Sequence, residues 1–312
     1  MKLIGVGHLD AEKMSKRLNS KTLNVILLPG IGDIIYTWYK LINYVNDGYV
    51  FNVKVLDCKP QRSHQIMGCL DGMQSFEYIS GFEYSSYWLS NIYDLRMPPP
   101  CSIFRNIPVL HINSFLETNQ NIDDFMPDYP AKYDIKIITN EESINWSKNK
   151  INKDKYNILL YTSSYANNIH CNVHPDPQYW VDLSLLAYEF SGSEKPLKIF
   201  VTGASYDADL TKDTYERIKE LKIQTELLLD QDFYYIIEFI RNADFVVSYE
   251  SGLAMLADCF HTNLFHVIRY QGGDRDDKTF PFLGPINPKG IWKRYWPVFY
   301  DEKIEDIKDK IL

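Results

Sequence analysis

Cysteine is scarce and scattered in this chain. Cys58, Cys69, Cys101, Cys171 and Cys259 are odd in number and form no CxxC pair, which argues against a disulfide framework and a structural zinc site. Positive charge is in deficit as well, with 33 Lys and Arg against 41 Asp and Glu, a formal net charge of −8. A general nucleic-acid-binding surface is therefore disfavoured, although a local basic strip such as Lys289, Lys293 and Arg294 is compatible with that balance. No segment approaches ~18 uninterrupted apolar residues, and the opening MKLIGVGHLDAEKM lacks a basic region followed by a long apolar core. A cytoplasmic protein with no membrane span is expected. Low-complexity tracts are missing, and no repeat occurs beyond two weakly similar halves.

What is present is a chain of 312 residues, 45% hydrophobic and 24% charged, the range of a soluble globular protein with room for two domains. It is rich in aromatics, with 23 Tyr, 16 Phe and 6 Trp. Together with abundant Asn, Ile and Lys, this points to an AT-rich coding genome, a matter of origin rather than chemistry.

The organising stretch is LNVILLPGIGDIIYTWYKLINYV, residues 23–45. A β-branched apolar run stops at Pro29-Gly30, and after Asp33 the apolar residues Ile34, Ile35, Trp38, Leu41, Ile42 and Val45 recur three or four apart. This predicts a strand, a tight turn and a helix whose first turn carries Asp33. Two readings of Asp33 stand side by side. As a helix-start carboxylate it stabilises the helix by about 1 kcal/mol. In an open α/β sheet the same position faces the ligand crevice, where a rigidly held carboxylate serves as a general base.

The next strand is expected over Tyr49–Leu56, and loops with short strands from Cys58 to about Pro130. Shorter elements are read at Lys2–Val6 (strand) and Ala11–Leu18 (helix). Tyr133–Thr139 reads as the last strand of the first half, Glu141–Lys150 as a polar helix, and Asn152–Lys155 as the linker. A cleaner alternation follows. Strands are predicted at Tyr156–Tyr161, Leu197–Val201, Phe245–Ser248 and Asn263–Ile268, with helices at Pro177–Glu189, Ala208–Leu221, Asp232–Asn242 and Gly252–Cys259. A Gly/Pro-rich loop then leads to a last helix over Glu305–Leu312. The fold class is α/β: two Rossmann-like, doubly wound domains, 1–153 and 154–312, facing each other across a cleft.

The segment Asn242 to Leu253, NADFVVSYESGL, resembles the "ADxxVxxDSGxxHLA" signature of the heptosyltransferase-like enzymes of glycosyltransferase family 9, and Gly32-Asp33-Ile34-Ile35-Tyr36-Thr37 resembles that family's "GDxxxTxP" motif. The resemblance implies a GT-B fold. It implies a sugar or glycan acceptor bound mainly by the first domain and a nucleotide-sugar by the second; if the AT-rich composition reflects a phage genome, a modified nucleobase is the alternative acceptor. Inverting transfer would proceed with no metal and no cofactor. Asp33 falls on the catalytic base and Thr37 on the helix threonine, with Gly32 and Tyr36 beside them on the acceptor loop. Ser251, Gly252 and Leu253 match the donor motif. The departures are Glu250 for the family's Asp, Met255 for its His, and Tyr39 for its Pro. Pro177, Gln178 and Tyr179 stand where a phosphate-binding Lys precedes the tryptophan matched by Trp180. An unusual donor or a lost activity therefore stays open.

On chemical grounds, the departing nucleoside diphosphate needs helix amides and cations. The turn Glu250-Ser251-Gly252 supplies the amides, and Ser163 and Ser164 hold an equivalent strand-end position. Glu250 can also accept from sugar hydroxyls. Candidate cations are His170, His174, Arg269 and Arg275. Asp207-Ala208-Asp209 has the spacing of a metal-binding DxD, yet Gly203 to Tyr206 separate it from the strand, so it reads as a helix cap. Trp180 and His266 read as core. The rivals are a dinucleotide-dependent enzyme, from Gly30-x-Gly32 and Asp57, whose third glycine position is Ile35, and a GT-B domain that has lost catalysis and serves as a binding or scaffold protein.

Overall fold

The computed structural model describes residues 22–27, 31–56, 62–79, 101–104, 107–111, 135–163, 175–249, 251–260, 262–268, 295–299 and 302–311. By its contacts the chain divides into two units, with the described residues of one ending at Ile138 and those of the other beginning at Thr139. The expected elements at Lys2–Val6 and Ala11–Leu18 lie outside the described residues.

The first unit begins as its apolar pattern dictates. Strand β1 (Thr22–Leu27) leads to helix α1 (Ile31–Asn46) and strand β2 (Val50–Leu56). Helix α1 buries Ile34, Ile35, Trp38, Leu41 and Ile42 on one stripe. Each such side chain stabilises by roughly 1.5–3 kcal/mol when fully buried. Trp38 meets the edge of Phe51 at 5.4 Å, and its indole nitrogen donates to the Asp71 carbonyl at 3.2 Å. The helix ends where Gly48 takes a left-handed φ of 84°, a conformation that glycine adopts without a Cβ penalty.

Helix α2 (Arg62–Cys69) and strand β3 (Met73–Ile79) follow, then β4 (Cys101–Phe104) and β5 (Ile107–His111). The sheet order is β3-β2-β1-β5-β4, parallel except for the antiparallel pair β4/β5. The βα alternation therefore continues into the region where only short strands and loops are expected. The signal is faint because, among the described side chains of α2, the buried face is Ile66, Met67 and Cys69. The strand expected over Tyr133–Thr139 is not formed across its described residues. There a single antiparallel bridge joins Ile137 to Leu70, and the Ile138 amide donates to the Cys69 carbonyl.

The second unit opens with helix α3 (Glu141–Lys150), which the sequence reading placed before the linker. Trp146 stacks on Tyr235 at 5.0 Å, Ser147 donates to the Glu238 carbonyl, and Thr139 donates to the Glu238 carboxylate. These contacts place α3 in the second unit, so the contact division falls about fifteen residues before the expected limit at 153.

The remaining elements are β6 (Tyr156–Tyr161), α4 (Pro177–Ser191), β7 (Leu197–Gly203), α5 (Ala208–Glu220), β8 (Gln224–Leu229), α6 (Phe233–Asn242), β9 (Phe245–Tyr249), α7 (Gly252–Cys259), β10 (Asn263–Ile268), β11 (Tyr295–Phe299) and α8 (Ile304–Ile311). Neither β8 nor β11 is foreseen in the sequence. Strand β8 is a partly exposed edge reading Gln-Thr-Glu before its leucines, and β11 follows the Gly/Pro-rich loop.

All six strands are parallel, in the order β11-β10-β9-β6-β7-β8. Every residue of β6 is buried, as a central strand covered on both faces must be. On one face Ile158, Leu160, Val201 and Val247 pack with Trp180, Leu183 and Leu186 of α4. Phe200 meets Phe239 of α6 at 4.5 Å. Asp176 caps α4 by accepting from the Tyr179 amide, and Pro177 occupies its first turn, where a missing N–H costs nothing. Trp180 is core, as expected.

Candidate functional site

Counted within the second unit, the strand order is 6-5-4-1-2-3, the doubly wound order in which the chain reverses direction between the first and fourth strands. Ligands of such sheets bind outside the carboxyl ends of the strands at that reversal. Here the reversal lies between β6 and β9, in register at Tyr161 and Ser248. Two residues past β6 comes Ser163, fully buried, and two past β9 comes Ser251. The topology thus brings two of the sequence candidates, 88 positions apart in the chain, to neighbouring strand ends.

Ser251 is extended (φ −159°, ψ 169°), and its hydroxyl accepts from the Leu253 amide at 3.2 Å. Its oxygen also lies 3.1 Å from the Ser248 hydroxyl, which in turn contacts the Tyr249 carbonyl at 2.8 Å. Gly252, the first residue of α7, is partly exposed, whereas every side chain from Leu253 to Cys259 is buried. The helix start therefore presents a backbone with no side chain at its first position, the arrangement an approaching anion requires. Leu253 contributes packing, its amide being taken by Ser251. Met255 is only 4% exposed, so it belongs to the packed side of α7.

Next to β6, strand β7 ends in a turn clamped from several directions. Asp207 accepts from the Ala204 amide at 2.6 Å, Thr211 donates to the Asp207 carbonyl at 2.9 Å, and Asp230 accepts from both the amide and the hydroxyl of Ser205 at 2.9 and 2.7 Å. Asp207 thus caps its own 3-10 turn, Ser205–Asp207, and makes no side-chain cap to α5. This corrects the helix-cap expectation. Asp209 is exposed while Asp207 is buried, so the DxD pair does not act together. Among the described residues no group of three His, Cys, Asp or Glu is placed to hold a metal ion.

The turn also carries Tyr206, whose hydroxyl lies 2.8 Å from that of Tyr161 at the end of β6. Tyr161, Tyr206, Ser248 and Asp230 were not among the sequence candidates. A tyrosine in a loop directly after a strand's carboxyl end was the available signal for Tyr206.

Burial shifts the titration of two of the buried ionisable groups in this half. His266, on β10 in register with Ser248, is held at about 3 by burial. Asp258, on α7, is pushed well above the carboxylate range by burial and has no hydrogen-bond partner among the described residues for one of its oxygens.

In the first unit, Gly32 and Asp33 are the second and third residues of α1, directly after β1, the strand that pairs with both β2 and β5. That is the corresponding reversal of the first sheet. Tyr36 and Thr37 lie one turn further along α1. The side chains of Asp33, Tyr36 and Thr37, and all of Ser164, His170, His174, Glu250, Arg269 and Arg275, fall outside what the structure describes.

No protein-family model and no curated protein matches the sequence. Solved structures do match the fold. The chain aligns with the ADP-heptose lipopolysaccharide heptosyltransferase II of E. coli at a TM-score of 0.59 and 10% identity, over 93% of this chain and 97% of that one. The glycosyl transferase family 9 protein of Veillonella parvula gives 0.56 and 10%, over 89% and 85%. E. coli heptosyltransferase WaaC with ADP gives 0.54 and 13%, over 93% and 98%. The chain has the GT-B fold of these proteins, with the two Rossmann-like units that the sequence predicts. No helix among the described residues is long and apolar enough to cross a membrane.

Proposed function

We propose that this chain is a glycosyltransferase that moves a sugar from a nucleotide-sugar to a hydroxyl acceptor, with inversion and without a metal ion. The observation that carries the proposal is the placement of Ser163 and the Ser251–Gly252 helix start after neighbouring strands at the reversal of a 6-5-4-1-2-3 sheet, in a chain folded like heptosyltransferases. One of those neighbours is named for ADP-heptose and another holds ADP. A dinucleotide is a poorer occupant of this sheet, because no glycine occurs from Thr162 to Ser191, after β6, where a pyrophosphate would need close backbone approach.

In this reading the diphosphate rests at Gly252 against the positive end of α7, which stabilises the charge that develops as the bond from anomeric carbon to phosphate oxygen breaks. Asp33 takes the proton of the acceptor hydroxyl, and that oxygen forms the new bond on the face opposite the leaving nucleoside diphosphate. The acceptor is a sugar or glycan, with a modified nucleobase as the alternative. Met255 and the Pro177-Gln178-Tyr179 segment favour one second reading, a donor-binding protein without transfer.

The test is thermal denaturation with UDP, GDP, ADP, CMP, their sugar conjugates and NAD, with and without magnesium. A ligand at ~100 times its dissociation constant stabilises by about 2.7 kcal/mol. A metal-independent shift with one nucleotide family is expected. A shift with NAD alone, or none, overturns the proposal. Once a donor is found, Asp33→Asn should keep donor affinity and lose about 10²–10⁴-fold in transfer. Full activity in that variant would remove Asp33 from the role of base, and donor binding without transfer by the wild type would select the second reading.

A further inference from the structure

Tyr206 stands out among the large side chains of the second unit because the residue is 37% exposed while its hydroxyl is fixed. A surface tyrosine ordinarily turns freely, and ordering it costs side-chain entropy. Here Tyr161, buried at the end of β6, holds the hydroxyl at 2.8 Å, and the backbone beneath is clamped by the Asp207, Thr211 and Asp230 contacts. Gly203 completes the mounting. A Cβ there would lie 2.5 Å from the Thr211 hydroxyl and 2.8 Å from an Asp207 carboxylate oxygen, so only glycine lets the turn close this tightly. An aromatic face is thereby immobilised in advance at the carboxyl ends of β6 and β7, and its polar end is spent on Tyr161.

The location gives the occupant. The start of α7 follows β9, and the Tyr206 turn follows β7, with β6 between them. Parallel strands are ~4.8 Å apart, so the two features are separated by about 10 Å along the sheet edge. That is the reach of a diphosphate and ribose, which places the base of a nucleotide over the Tyr206 ring when its phosphates meet α7. We infer that Tyr206 is the stacking platform for the nucleobase of the donor. This rests on the nucleotide-sugar reading above and adds where the base lies and what holds it. Stacking is tolerant of base identity, because every base has a π-face. The Tyr206 ring thus supplies affinity, and the choice among bases falls to groups around its rim.

The experiment is titration of the full chain with UDP, GDP and ADP, and with inorganic pyrophosphate as the base-free probe, for the wild type, Tyr206→Ala and Tyr206→Phe. Loss of one base–aromatic stack predicts about tenfold weaker nucleotide binding in Tyr206→Ala, unchanged pyrophosphate binding, and nucleotide binding within about threefold of wild type in Tyr206→Phe. Equal nucleotide affinity in wild type and Tyr206→Ala overturns the platform and leaves the nucleotide-binding reading standing. Equal weakening of nucleotide and pyrophosphate in Tyr206→Ala assigns the tyrosine a structural role in its turn, and also overturns it. A wild type that binds pyrophosphate but none of the nucleotides overturns the nucleotide reading itself, and the platform with it.

Discussion

Ser248 and Ser251 hold their hydroxyl oxygens 3.1 Å apart across the turn from β9 into α7, and Ser251 accepts from the Leu253 amide. The last strand turn and the helix cap are thus one hydrogen-bonded piece at the start of α7. Ser251→Ala should cost about 1 kcal/mol, the worth of a helix cap. At roughly 2–4 °C per kcal/mol for a unit of this size, the loss is visible by calorimetry. Nucleotide affinity should fall with it. An unchanged melting temperature would show that the cap contributes nothing.

Gly203 tests the turn after β7. A methyl group there meets the Thr211 hydroxyl and the Asp207 carboxylate, both within a buried hydrogen-bonded set. Gly203→Ala should destabilise by about 1–3 kcal/mol, the usual cost of overpacking. Denaturant unfolding would register this as a lower midpoint with an unchanged slope.

His266 sets part of the acid limb of stability. Burial lowers its imidazole to about 3, so it is neutral in the folded protein while the unfolded chain takes up a proton near pH 6.5. Its contribution is fully present above 6.5 and is lost as pH falls from 6.5 towards 3. His266→Phe should flatten the melting temperature's dependence on pH across that window, whatever its effect at pH 8. An unaltered acid slope would contradict the burial.

Asp258 acts in the opposite direction. Its folded carboxyl is raised by burial, so the folded protein holds the proton after the unfolded chain has released it near ~3.9. Stability is greatest below that value and declines as pH rises towards the folded pKa. The neutral Asp258→Asn should match the wild type at pH 4 and melt higher at pH 8. Equal melting at both would show that the native state does not raise the Asp258 carboxyl above its unfolded value.

Much of this was legible in the sequence, for local reasons. The helix at residues 31–46 is written in side-chain period, whereas β6, β9 and α7, buried on every side, are written as short apolar runs bounded by turn residues. That Ser163, Ser251 and Gly252 stand at strand ends is legible because they come two or three residues after apolar strands. The pattern of helix α3 says only that it has a partner, and the partner, Tyr235 and Glu238, lies some ninety residues on, so its place on the second unit's side of the contact division is not legible locally. Strand β8 was missed because an edge strand keeps a polar, partly exposed pattern.

The sequence by itself determined most elements of the second unit, β8 and β11 excepted, and the residues that stand at their ends, because hydrophobic pattern and turn residues act over a few positions. Only the tertiary structure decided that β6 lies between β7 and β9. Neighbour choice in a parallel sheet depends on how each crossover packs across a face, which no local pattern records. That decision turned two distant serines into neighbouring strand ends and set Tyr206 on Tyr161.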